Sequence, residues 1–147
     1  PLTCDQIGVA CGHRSQVNAI QERLGALQRK LGDPAAGAPD LSQVLVETSD
    51  RYQGLERQVM LVHHPLAGRL TAQDFHLDAG RLCVMLSRHR VACFIFGRDG
   101  MRERLERQQI PAQRVLGPIP DRVHEGNVRH RALLDLLERE QRIVRLR

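Results

Sequence analysis

Apolar residues in this chain fall into short runs, separated by stretches in which they recur every three or four positions. Ile7–Cys11 (IGVAC) and Val91–Phe96 (VACFIF) are short and almost wholly apolar, which predicts buried strands. Val44–Val46 and Gln58–His63 also read as strands. Ser15–Leu31 carries Val17, Ile20, Leu24, Leu27 and Leu31 at helical spacing, with Ser15 as candidate N-cap. Gly32–Pro39 is a breaker-rich loop, and Pro65–Asp74 is expected as a surface loop. A helix is predicted from Asp78 or Ala79 to Arg90, packed through Leu82, Met85 and Leu86. Asp99–Gln109 predicts a charged helix with Met101 and Leu105 inward. Beyond an irregular, proline-containing stretch, Pro111–Pro120, a final helix is expected over Glu125–Glu140 and an edge strand over Ile143–Leu146. Strands alternating with helices predict an α/β fold, a mostly parallel sheet flanked by helices.

Composition narrows this picture. A chain of 147 residues fits one domain with a real core, and with three Phe, one Tyr and no Trp that core must be aliphatic. The net charge of +5 is carried almost wholly by arginine, Lys30 being the lone lysine, and supports a polyanionic partner only weakly. Cys4, Cys11, Cys83 and Cys93 lack CxxC spacing and read as reduced thiols, so a cytoplasmic location is expected. No 18-residue apolar run exists, so no membrane span is expected. The opening at Pro1-Leu2, without an initiator Met, suggests a piece of something larger.

Three segments carry candidate chemistry. Thr48–Glu56 follows a strand and packs hydroxyls, the single tyrosine, an amide, Gly54 and a carboxylate into nine positions. Hydroxyls at a strand end suit phosphates, and Gly54 permits close backbone approach to a ligand. Glu56 is an acceptor for a ribose hydroxyl or an arginine. An ordinary strand–turn–strand competes with this reading. In the second segment Arg81 and Arg88 are seven apart, which places them nearly on one face of the expected helix, where a fixed guanidinium can reach a phosphate. A solvated arginine face is the alternative. The third segment, Cys11–Gln16, is a βα turn feeding a helix N-terminus, able to receive a phosphate but without the Gly-Lys-Ser/Thr of a P-loop. The seven histidines show no HExxH or Cys/His metal spacing, so no metal is expected, and no Gly-x-Ser-x-Gly element occurs.

In order along the chain, these segments resemble the second RecA-like motor domain of superfamily 1 helicases, of the group that includes the nonsense-mediated-decay RNA helicase. Thr48-Ser49-Asp50-Arg51-Tyr52-Gln53-Gly54-Leu55-Glu56 is similar to motif V, Ser/Thr-x-Asp-x-Phe-Gln-Gly-x-Glu. Arg81-Leu82-Cys83-Val84-Met85-Leu86-Ser87-Arg88-His89-Arg90 resembles motif VI, Arg-Leu-Asn-Val-Ala-Leu-Thr-Arg-Ala-Arg. Cys11–Gln16 keeps only the Gln of motif IV, Thr-Pro-Tyr-x-x-Gln, with Cys11 and His13 at the family's Thr and Tyr. The resemblance covers roughly residues 5–107.

It implies a RecA-like fold of the P-loop NTPase type, over residues 1–109, with 110–147 a C-terminal extension whose helix packs on the same domain. It implies that Arg88 is the finger on the ATP γ-phosphate, that Gly54 and Glu56 line the nucleotide cleft, and that Arg81 supports that cleft. Thr48, Asp50, His13 and Gln16 would contact a single nucleic-acid strand, DNA or RNA. ATP with Mg²⁺ would be held mainly by an N-terminal RecA-like domain of the same full-length chain, because this chain has neither Walker A nor Walker B and would be inactive alone. The alternative is a RecA-like docking or nucleic-acid-binding module that has lost its motor.

Overall fold

The strands that the apolar runs form lie side by side in the order β2-β1-β3-β4, all parallel. They are β1 (Ile7–Cys11), β2 (Leu45–Thr48), β3 (Arg57–His63) and β4 (His89–Phe96). The computed structural model describes residues 1–67, 74–107 and 121–145. The expected irregular stretch Pro111–Pro120 and most of the loop Pro65–Asp74 lie outside them. Helices are α1 (Arg14–Leu31), α2 (Asp74–Leu77), α3 (Ala79–Leu86), α4 (Met101–Arg107) and α5 (Arg122–Arg139).

Alternate residues of the central strands serve two cores, as the pleat requires. Val9, Cys11 and Val46 pack with Val17, Ile20 and Leu24 of α1 on one face. On the other face Ala10, Met60 and Val62 pack with Tyr52 and with Met85 of α3. Gly8 leaves room for Tyr52, since a Cβ there would meet the tyrosine oxygen and the Met60 sulfur. A third cluster joins Leu66, Leu77, Met101 and Leu105 to Leu134 of α5. A Cβ on Gly126 would collide with the Leu77 carbonyl, so α5 approaches α2 backbone to backbone. The result is an α/β, RecA-like arrangement of a four-stranded parallel sheet flanked by helices.

Four expectations need correction. α3 stops at Leu86, not Arg90, and Ser87 is its C-cap. The backbone of the next residues is taken by the sheet: His89 pairs with Arg57, whose N–H donates to the Arg88 carbonyl at 2.9 Å. β4 is an edge strand rather than a buried one, with Val91 73%, Phe94 55% and Phe96 47% exposed. α1 begins before Ser15: His13 is the N-cap, and its N–H donates to the Gln16 side-chain oxygen at 3.0 Å. Residues 141–145 form no strand.

Candidate functional site

Parallel strands give the sheet two chemically distinct ends. The carboxyl end holds Cys11, Thr48 and His63, and the amino end holds Ile7, Arg57 and His89. The eight residues from Ser49 to Glu56 run from the first end to the second. Ser49–Tyr52 form a 3-10 turn, and Tyr52 is wholly buried with its hydroxyl donating to the Leu45 carbonyl at 2.6 Å. Burial holds this phenol neutral, its pKa far above the ordinary value. Gly54 follows at φ +84, in the left-handed region that favours glycine. α3 makes the same traverse, from Asp78, whose side chain accepts the Arg81 N–H at 2.8 Å, to Ser87.

The carboxyl end collects the four residues expected at a nucleic-acid strand. Thr48 lies in register with Cys11, next to the turn that carries His13 and Gln16. The amide nitrogen of Gln16 lies 3.1 Å from Nδ1 of His63. The His13 ring stacks on Phe75 at 4.8 Å and places Nε2 2.9 Å from Nε2 of His76. Arg81 lies over the Phe75 ring at 4.0 Å and donates to both oxygens of Asp50 at 2.6 and 2.8 Å. Arg14 and Arg51 both pair with Glu47, at 3.0 and 3.6 Å. Cys11, at the family's threonine position, is fully buried under α1, and burial pushes its thiol up to about 11, so it faces the core as a neutral group.

At the amino end sit Glu56 and Arg88. The Glu56 carboxylate accepts from Arg90 Nε at 2.9 Å. Arg88 donates to its neighbour Ser87 Oγ at 2.8 and 3.2 Å, and its carbonyl is tied to β3. The expectation that Arg81 and Arg88 share one helical face fails, because Arg88 lies beyond the end of α3. Arg81 accordingly belongs with Asp50 at the carboxyl end rather than with Gly54, Glu56 and Arg88. Sequence reasoning also missed Phe75, His63 and His76. Phe75 carried a signal, being one of only three phenylalanines in the chain.

Behind the carboxyl end two buried histidines tie α5 to the turn after β3. The Leu66 N–H donates to His64 Nδ1 at 3.2 Å, so the His64 proton sits on Nε2, which lies 3.2 Å from His130 Nδ1. Desolvation lowers His64 to about 3 and His130 to about 4, with the neighbouring His130 charge adding to the effect on His64. Both rings are therefore neutral near pH 7.

Among the described residues no group of His, Cys, Asp and Glu is arranged to hold a metal ion, and no helix is long and apolar enough to cross a membrane. No curated protein matches the chain significantly. A family described as an AAA domain matches residues 2–100, a span that includes the whole sheet and all three segments with candidate chemistry. The match takes in well over half of the chain, which therefore belongs to this AAA domain family, a helicase-like family of the C-terminal region of superfamily 1 helicases.

Proposed function

We propose that the chain is the second RecA-like motor domain of an ATP-dependent helicase or translocase of superfamily 1, in the group that includes the nonsense-mediated-decay helicase. The observation that carries this is the separation of the two residue sets. Glu56 and Arg88 stand at the amino end of the sheet; Thr48, Asp50, His13 and Gln16 stand at the carboxyl end. A motor needs its nucleotide and its strand on different surfaces of one rigid body, so that cleft closure moves the grip.

Arg88 is the finger, half-buried on a turn anchored to β3 and paired with no carboxylate among the described residues. It neutralises charge on the transferring phosphate. Glu56, at the end of the motif V segment, accepts a nucleotide hydroxyl, and Gly54 lets the backbone approach. At the other end Thr48, with Gln16 and His13, holds the strand through its phosphates, largely without regard to sequence. ATP with Mg²⁺ supplies the phosphoryl group when held between this domain and a first RecA-like domain that carries Walker A and Walker B.

A second reading, an inactive docking or nucleic-acid-binding module, draws on one observation. The His13 ring, at the family's tyrosine position, is already engaged by Phe75 and His76. ATP turnover of the full-length protein, with and without single-stranded DNA and RNA, separates the two. Strand-stimulated turnover that falls by about a thousandfold or more in Arg88→Ala, with ATP binding retained, supports the motor. Absence of turnover from folded protein under every condition supports the docking module instead.

A further inference from the structure

Half-buried arginines normally have carboxylate partners, because an unpaired guanidinium is costly to desolvate. Arg81 pairs with Asp50, and Arg102 with Asp135 and Glu138. Arg57 and Arg88 are half-buried too, yet neither has a carboxylate within ion-pair reach among the described residues. These two are neighbours at the amino end of the sheet, joined by the 2.9 Å bond from the Arg57 N–H to the Arg88 carbonyl.

Arg57 is the less satisfied of the pair. Its stem lies over Gly8 beside Tyr52, its Nε is buried with no hydrogen-bond partner, and one terminal nitrogen donates to the Glu56 carbonyl at 2.9 Å. Together with Glu56, Arg90, Gln58, Gln6 and Asp5 it lines a depression of about 180 Å³. Arg90 neutralises Glu56 at the edge of that depression. The second terminal nitrogen of Arg57, bonded to no acceptor among the described residues and set beside a neutralised carboxylate, suits an arriving anion that also carries hydroxyls.

We propose that Arg57 is a second phosphate-binding guanidinium at the nucleotide end, gripping the nucleoside triphosphate beside Arg88. This rests on the motor reading and adds a residue with a different task. Arg88 meets charge that develops as the phosphoryl group transfers, whereas Arg57 holds phosphate already charged in the ground state.

The test is steady-state ATP turnover of the full-length protein at saturating single strand. Arg57→Met keeps a stem against Gly8 and Tyr52 and removes the guanidinium. It should raise KM for ATP about tenfold with kcat within about twofold, while Arg88→Ala lowers kcat. Arg57→Lys should recover part of the loss, since an ammonium keeps the charge and not the fork. A wild-type KM in Arg57→Met, with turnover still abolished by Arg88→Ala, overturns the proposal and leaves the motor reading standing. A lower melting temperature with KM unchanged assigns Arg57 a structural role and also overturns it. If the wild-type protein hydrolyses no ATP, the motor reading falls and takes this proposal with it.

Discussion

Arg81 donates to both carboxylate oxygens of Asp50 while its guanidinium carbon lies over the Phe75 ring, 4.0 Å from the centroid. Phe75 in turn stacks on His13, so one chain of contacts links the turn after β1, the turn after β2 and the start of α3. These contacts hold the arginine at the carboxyl end of the sheet, away from the amino end where the proposed motor would take its nucleotide.

Arg81→Gln should therefore weaken single-strand affinity severalfold and leave KM for ATP unchanged. Asp50→Asn should act in the same direction, because it removes the same charge pair. The pair is partly exposed, so either change should cost less than about 1 kcal/mol of stability. Strand titrations and ATP titrations on one preparation separate the two ends; a raised KM with unaltered strand affinity would return Arg81 to the nucleotide.

Gly126→Ala probes the seat of α5. A methyl group there runs into the Leu77 carbonyl, which is backbone and cannot rotate away. Overpacking of this kind costs about 1–3 kcal/mol. The urea midpoint should drop accordingly, and an unchanged midpoint would mean that α5 does not rest on α2 in solution.

Acid should loosen the same region. The folded-state pKa values of His64 and His130 lie below the ordinary 6.5, at about 3 and about 4, so the unfolded chain binds more protons between those limits. Stability is then complete above pH 6.5 and declines as pH falls towards the folded values. The loss should be on the order of 1 kcal/mol per histidine by about pH 5.5. Urea titrations at pH 7.5 and about 5.5 measure it, and His64→Gln should flatten the difference.

The parts of this fold that could be read from sequence were those whose signal is local. IGVAC and QVMLVH are apolar enough to be strands anywhere, and Val17, Ile20 and Leu24 at helical spacing mark the buried face of α1. The end of α3 was not legible, because no Gly or Pro interrupts the helical pattern between Leu86 and Val91; it is the ladder with β3 that draws the chain out. Nor does VACFIF reveal that it lies at an edge, since strand order is a property of the whole sheet. The same holds for the site. Thr48, Gly54, Glu56 and Arg88 stand in the sequence as an ordered set of candidates, whereas the partners of Arg81, and Phe75 between it and His13, depend on which loops share an end of the sheet. His13 as the α1 N-cap was missed because Ser15 is the more usual capping residue.

The early stop of α3 decides what Arg88 is fastened to. Had the helix run on to Arg90, the guanidinium would have ridden on an element packed by side chains, free to slide and tilt with it. Instead its main chain is bonded to β3, the strand between β1 and β4. The main chain of Arg88 thus inherits the stiffness of the sheet, while its guanidinium is steadied by Ser87, the C-cap of α3, whose N–H donates to the Cys83 carbonyl.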